Sequence, residues 1–89
     1  MIPKTGQLRV WWIPQVPGKP FHVLVENVEK AVLVINTLTR YDEFQLLHKI
    51  KPDYSNAGGL EIYQDGEWSE YYDDEDRDIN EIIDIEVQK

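Results

Sequence analysis

The side chains able to do chemistry are few and scattered. Two histidines occur, His22 and His48, and neither has a nucleophile at a usable spacing. His22 lies inside a strand-like alternation. His48, beside Lys49, reads as a partner for a helix C-terminus. Ser55 and Ser69 have no nucleophile context, and Ser69 reads as a plain hairpin residue. There is no phosphate-binding loop, no dinucleotide fingerprint and no H-E-x-x-H pair. Gly58-Gly59 would let a backbone approach a phosphate, but a conformational role is the simpler reading. Asp74, Asp76 and Asp78 open like a calcium loop; the sixth position is then Ile79 instead of Gly, and the twelfth is Ile85 instead of Glu. The run therefore reads as a solvated acidic turn. These observations predict no catalytic residue, no cofactor, no metal site and no enzymatic activity.

What remains is charge. The chain of 89 residues carries 9 basic and 17 acidic residues, a net of −8. The excess is lopsided. Residues 1–51 hold seven Lys/Arg and four Asp/Glu, whereas residues 52–89 hold two and thirteen. Such a balance repels phosphate, so direct nucleic-acid binding is not expected. Carboxylates can instead meet a basic protein surface. The candidate interaction surface is Glu61, Tyr63, Glu67, Trp68, Glu70, Tyr72, Asp73, Asp74, Glu75 and Asp76, with Trp11 as a further anchor. Tyr and Trp are the residue types that carry binding energy at interfaces. The plainer alternative is that the acidic run only keeps a small protein soluble.

Positioning these residues requires a small core. At 10.5 kDa and 42% hydrophobic residues the chain is expected to form one domain, 1–89, with the acidic hairpin and tail 60–89 inside it. No apolar stretch approaches the roughly 20 residues needed to cross a bilayer, and no secretory signal is visible. Cysteine is absent, so disulfides are excluded and a reducing host cytoplasm is the expected location. Gln7–Val16 reads as a strand with Leu8, Val10 and Trp12 on one face. Pro14, Pro17 and Pro20 punctuate a loop before a second strand, Phe21–Glu26. Asn27 is an N-cap for a helix that ends near Thr39–Tyr41, and Asp42 with Gln45 suggests a capping box for a second helix, with Phe44, Leu47 and Ile50 buried and Pro52 as its stop. Residues 52–59 read as a turn-rich loop.

Asp65-Gly66 marks a two-residue type I′ hairpin that sets Gln64 opposite Glu67, Tyr63 opposite Trp68, Ile62 opposite Ser69 and Leu60 opposite Tyr71. Glu61 then faces Glu70, a mildly unfavourable pair. Residues 79–87 fit either a helix opened by Asp78 and Glu81 or an alternating strand; a helical turn followed by an extended tail is the preferred reading. The fold class expected is α+β: a small antiparallel sheet of about four strands, order β-β-α-α-β-β, with two helices packed on one face.

The stretch LRVWWIPQVPGKPFHV (Leu8–Val23) resembles the opening of a group of small acidic proteins encoded by phages and prophages of Gram-positive bacteria. The segment IKPDYSNAGGLEIYQDGEW (Ile50–Trp68), followed by YYDDEDRDI (Tyr71–Ile79), is similar to the same group. Members are identified as superinfection exclusion proteins or as uncharacterised phage proteins. The resemblance implies a role against a second infecting phage and assigns no catalytic or binding residue. The resulting expectation is a phage protein that binds a host or phage protein and no membrane. The alternative is a small accessory protein of the virion or its assembly that self-associates, for example as a homodimer through Trp11 and a sheet edge.

Overall fold

The computed structural model describes residues 2–48 and 56–87. Four strands and two helices follow in the order β1 (Leu8–Ile13), β2 (Phe21–Val25), α1 (Val28–Leu47), β3 (Ala57–Gln64), β4 (Glu67–Glu70) and α2 (Ile79–Val87). The strands form one antiparallel sheet in the spatial order β2-β1-β3-β4. The α+β class, the four strands and the two helices agree with the sequence reading. The order of elements does not: the second helix follows the hairpin instead of preceding it.

The reason lies at Asp42. The helix expected to stop near Thr39–Tyr41 runs on to Leu47 without a break. Neither Gly nor Pro occurs between Val28 and His48 to end it. Thr37 and Thr39, residues that often favour helix ends, instead turn their hydroxyls back to the carbonyls of Leu33 and Ile35 within the helix. Asp42 does not cap a new helix. Its carboxylate is buried at 2% exposure and accepts a 2.6 Å hydrogen bond from the Asn56 side-chain amide at the start of β3. A helix of this length is about 30 Å long, whereas a six-residue strand spans about 20 Å. The last turns of α1 therefore outrun the sheet, and Phe44 and Leu47, expected in the core, are 50% and 79% exposed. Lys49, Ile50, Lys51, Pro52 and Ser55 lie outside the described residues.

Other local signals hold. The Asn27 side chain accepts from the Lys30 amide at 2.8 Å and caps α1. His48 closes α1, its Nδ1 2.9 Å from the Phe44 carbonyl and its ring stacked on Phe44 at 4.2 Å. Asp78 and Glu81 exchange side-chain-to-backbone bonds at 3.0 and 3.4 Å, the capping box that opens α2. That helix continues to Val87, where an extended tail was expected. Ile79 is fully buried and Ile83 packs against the core, whereas Ile85 is exposed; the helical period places the isoleucines and the alternation of residues 83, 85 and 87 is incidental.

Both helices lie on one face of the sheet. Leu8, Val10 and Trp12 of β1, Leu60 of β3, Ala31 and Ile35 of α1, and Ile79 of α2 form the core. Val23, Val25, Ile62 and Tyr71 pack around it. Among the described residues, the opposite face carries no helix.

Candidate functional site

The uncovered sheet face is built by strict alternation. With Leu8, Val10 and Trp12 turned to the helices, Arg9, Trp11 and Ile13 must turn away. Antiparallel partners share a face, so the registers Trp11↔His22 and Arg9↔Leu24 bring His22 and Leu24 of β2 to this side. The registers Trp11↔Gly59 and Arg9↔Glu61 add Gly59 and Glu61 of β3, and the hairpin adds Tyr63, Trp68 and Glu70.

The hairpin registers as the Asp65-Gly66 signal requires, with Gln64↔Glu67, Tyr63↔Trp68, Ile62↔Ser69 and Glu61↔Glu70. Both turn residues have positive φ, 55° and 80°, as a type I′ turn demands. Beyond the paired residues, the Tyr71 amide still donates to the Leu60 carbonyl at 2.9 Å. Tyr63 is also held on its other side: its amide donates to the Gln7 carbonyl and its carbonyl accepts from the Gly6 amide.

Three aromatic rings occupy this face. Tyr63 and Trp68 meet edge to face with centroids 5.3 Å apart. The Arg9 guanidinium sits over the Trp68 ring, 4.1 Å from its centroid. Its Nε donates to Glu61 at 2.7 Å, and His22 Nε2 lies 3.9 Å from the same carboxylate oxygen. Arg9 thus answers the carboxylate that Glu70 would otherwise oppose alone. A shallow pocket of about 250 Å³, lined by Pro3, Gln7, Arg9, His22, Leu24 and Trp68, opens beside this cluster.

Trp11 is placed by a pair of glycines. Trp11 and Trp12 lie on opposite faces, and each indole crosses onto the backbone of β3. A Cβ on Gly59 would come within 2.5 Å of Trp11 Nε1, and one on Gly58 would collide with the Trp12 ring. Gly58-Gly59 is therefore the floor on which both tryptophans rest. The Trp11 indole N–H faces the Glu70 carboxylate. Partial burial pushes the pKa of Glu70 up, the nearby charges of Asp78 and Glu61 push the same way, and the Trp11 hydrogen bond opposes them.

The acidic run after β4 is a closed turn. Asp73 Oδ1 accepts from the amides of Glu75 and Arg77, both at 2.9 Å, and Oδ2 accepts from Arg77 Nε at 2.8 Å. The Arg77 amide above all, then the Glu75 amide and the Arg77 guanidinium, hold the Asp73 pKa below the usual carboxylate range. Asp76 adopts a positive φ of 60° to close the turn. Asp74, Glu75 and Asp76 are exposed, and Arg77 reaches Glu75 at 3.5 Å.

The eleven residues singled out from the sequence thus divide. Trp11, Glu61, Tyr63, Trp68 and Glu70 share the uncovered face. Glu67 is exposed at the hairpin tip and Tyr72 is exposed beyond β4. Asp74, Glu75 and Asp76 form the exposed part of the adjoining turn, and Asp73 is its internal anchor. Arg9, His22 and Gly59 belong to the face and were not singled out. Their signal was the alternation of β1, which becomes informative once β3 is known to lie beside it.

A family model described as superinfection exclusion gene product 17 matches residues 7–88. A superinfection exclusion protein of Salmonella phage P22 is 52% identical over 59 residues, which cover 66% of this chain and 57% of that protein. The chain matches little more than half the length of that relative. No solved structure matches. The relative comes from a Salmonella phage, so the Gram-positive association stays an expectation. Among the described residues, no helix is long and apolar enough to cross a membrane.

Proposed function

The chain belongs to the superinfection exclusion gene product 17 family, and from that premise we propose that it acts in superinfection exclusion as a non-enzymatic binding module in the host cytoplasm. Its uncovered sheet face and the adjoining acidic turn engage a host or phage protein with a basic surface. The observation that carries this reading is that Trp11 and the Tyr63–Trp68 pair share a face that neither helix covers. These rings are half-buried, and aromatic groups held on a rigid sheet offer contact area at little entropic cost and are the anchors of many interfaces.

The charges divide the work. Glu61 is already answered by Arg9, so it stiffens the face and adds little net charge. Glu67, Asp74 and Asp76 form no ion pair among the described residues and are free to steer a cationic partner. Lysine or arginine on the partner can also lie over Tyr63 or Tyr72.

The test is a capture from host and phage lysate with tagged protein, repeated after reversing Glu67, Asp74 and Asp76 to Lys. A specific partner lost on this reversal, but kept when the exposed Glu43 of α1 is reversed, supports the reading. A captured set that does not change on reversal of the turn overturns it. Asp73 stays intact in this design because its carboxylate closes the turn.

A further inference from the structure

Helix α1 carries two seams. Ala31, Ile35, Leu38 and Asp42 recur at spacings of four and three and turn to the inside of the fold. Leu33, Thr37, Arg40, Phe44 and Leu47 recur at the same alternating spacing on the outer side, and all five are exposed. Leu33, Phe44 and Leu47 are 62%, 50% and 79% exposed, and Tyr41 beside them 58%. An alternation of four and three keeps a stripe on one side of a helix and is the spacing with which two helices interlock. The solvent side of a surface helix is ordinarily polar, and a contiguous apolar stripe there marks an interaction surface.

We propose that the outer seam of α1 packs on the same seam of a second copy of this chain, antiparallel about a two-fold axis level with Asp42. This register sets Arg40 level with Phe44 of the second copy and Thr37 level with its Leu47, so the rows of the two seams interlock. A two-fold axis lying across the seam keeps each flank against its own equivalent. At 3.6 residues per turn Arg40 and Glu43 lie on one flank, and Tyr41 and Phe44 on the other. Arg40 therefore falls between Phe44 and Glu43 of the second copy, Tyr41 falls beside its Phe44, and symmetry repeats both contacts. Arg40 and Glu43 are exposed, and neither forms an ion pair within the chain among the described residues. This charge complementarity selects a second copy and the register. Sliding one copy to bring Leu33 level with Phe44 leaves Arg40 in the seam more than a turn from any carboxylate of the facing helix, and parallel pairing stacks Arg40 on Arg40; both arrangements desolvate an unpaired charge. The seam faces away from the sheet, so the aromatic face stays open in both copies. Capture of a partner reads the sheet face, and self-association reads the seam.

Sedimentation equilibrium from micromolar to millimolar protein tests this with no partner present, at about 0.15 M salt to screen the net negative charge of the two copies. The wild type should move from 10.5 kDa to twice that mass. Arg40→Glu or Glu43→Arg alone places like charges together at two symmetric points and should weaken association about tenfold, on the scale of exposed ion pairs. The double variant restores opposite charges and should recover most of that loss. Phe44→Lys sets a second cation against Arg40 of the other copy and should abolish association with an unchanged circular dichroism spectrum. A wild type that stays monomeric throughout, whether residues 49–55 of its own chain or another protein cover the stripe, overturns the proposal. Single and double charge variants that associate alike overturn it too.

Discussion

Replacing Gly59 by Ala tests the packing on which the uncovered face depends. The added Cβ would sit 2.5, 2.7 and 2.9 Å from Nε1, Cε2 and Cζ2 of Trp11. These are three atoms of one rigid indole, so no single flexible end can move aside. Either the strand shifts or the ring leaves its place beside Glu70. Overpacking a fitted site costs about 1–3 kcal/mol, and because three atoms of one rigid ring are met at once the upper end, about 3 kcal/mol, is the working figure. For a domain of this size each kcal/mol moves the melting midpoint by about 4–8 °C, so the variant should melt about 12–24 °C lower.

Strand position and side-chain entropy push the other way, because alanine is easier to order than glycine by about 0.5–1 kcal/mol. The decisive assay is a double-mutant cycle by urea denaturation. In a Trp11→Val background the Cβ meets no indole, so Gly59→Ala should be neutral or slightly stabilising. The coupling energy should then be about 3 kcal/mol or slightly more. An equal effect of Gly59→Ala in both backgrounds would refute the idea that the glycine exists to seat the tryptophan.

Two further variants probe the electrostatics. Glu70→Gln keeps an oxygen to accept from the Trp11 indole and removes repulsion from Asp78 and Glu61. The raised pKa means the native state holds the Glu70 proton more tightly than the unfolded state, so wild-type stability falls as pH rises from the ordinary carboxylate value through the raised one. The variant should therefore gain about 0.2–1 kcal/mol at pH 7, with the gain vanishing near pH 4, by thermal melts across pH. Asp73→Asn acts with the opposite sign. The lowered pKa of Asp73 contributes stability above the ordinary aspartate value, and that contribution is lost as pH falls through the lowered one. The variant should melt below the wild type at pH 7 and converge with it in acid.

Short-range signals were legible in the sequence. Asp65-Gly66 set both the turn type and the pairing of four residue pairs, because a two-residue loop leaves the register no freedom. Asn27 and the Asp78–Glu81 box marked helix starts through bonds made within three residues. Asp42 had the same local chemistry, yet its carboxylate found Asn56, 14 positions away, and no capping rule detects such a partner. The site was legible in the same proportion. Tyr63, Trp68, Glu61 and Glu70 followed from the hairpin alone. Arg9, His22 and the seat of Trp11 on Gly59 depend on β1 lying between β2 and β3, a pairing across more than forty residues that alternation by itself does not choose. The charge imbalance also changed its meaning. Part of the acidity is used internally, by Glu61 against Arg9 and by Asp73 against Arg77, and the charge open to a partner lies at the hairpin tip and the turn.

In the proposed function, the aromatic sheet face carries exclusion. The most direct test of that role is the plating efficiency of a challenge phage on host cells producing the protein. Cells with the wild type are compared with cells carrying Tyr63→Ala and Trp68→Ala together, at matched levels of folded protein. The wild type should exclude the phage, and the double variant, folded but without the aromatic pair, should let it plate as on cells lacking the protein. Exclusion by the double variant as strong as by the wild type would contradict that role.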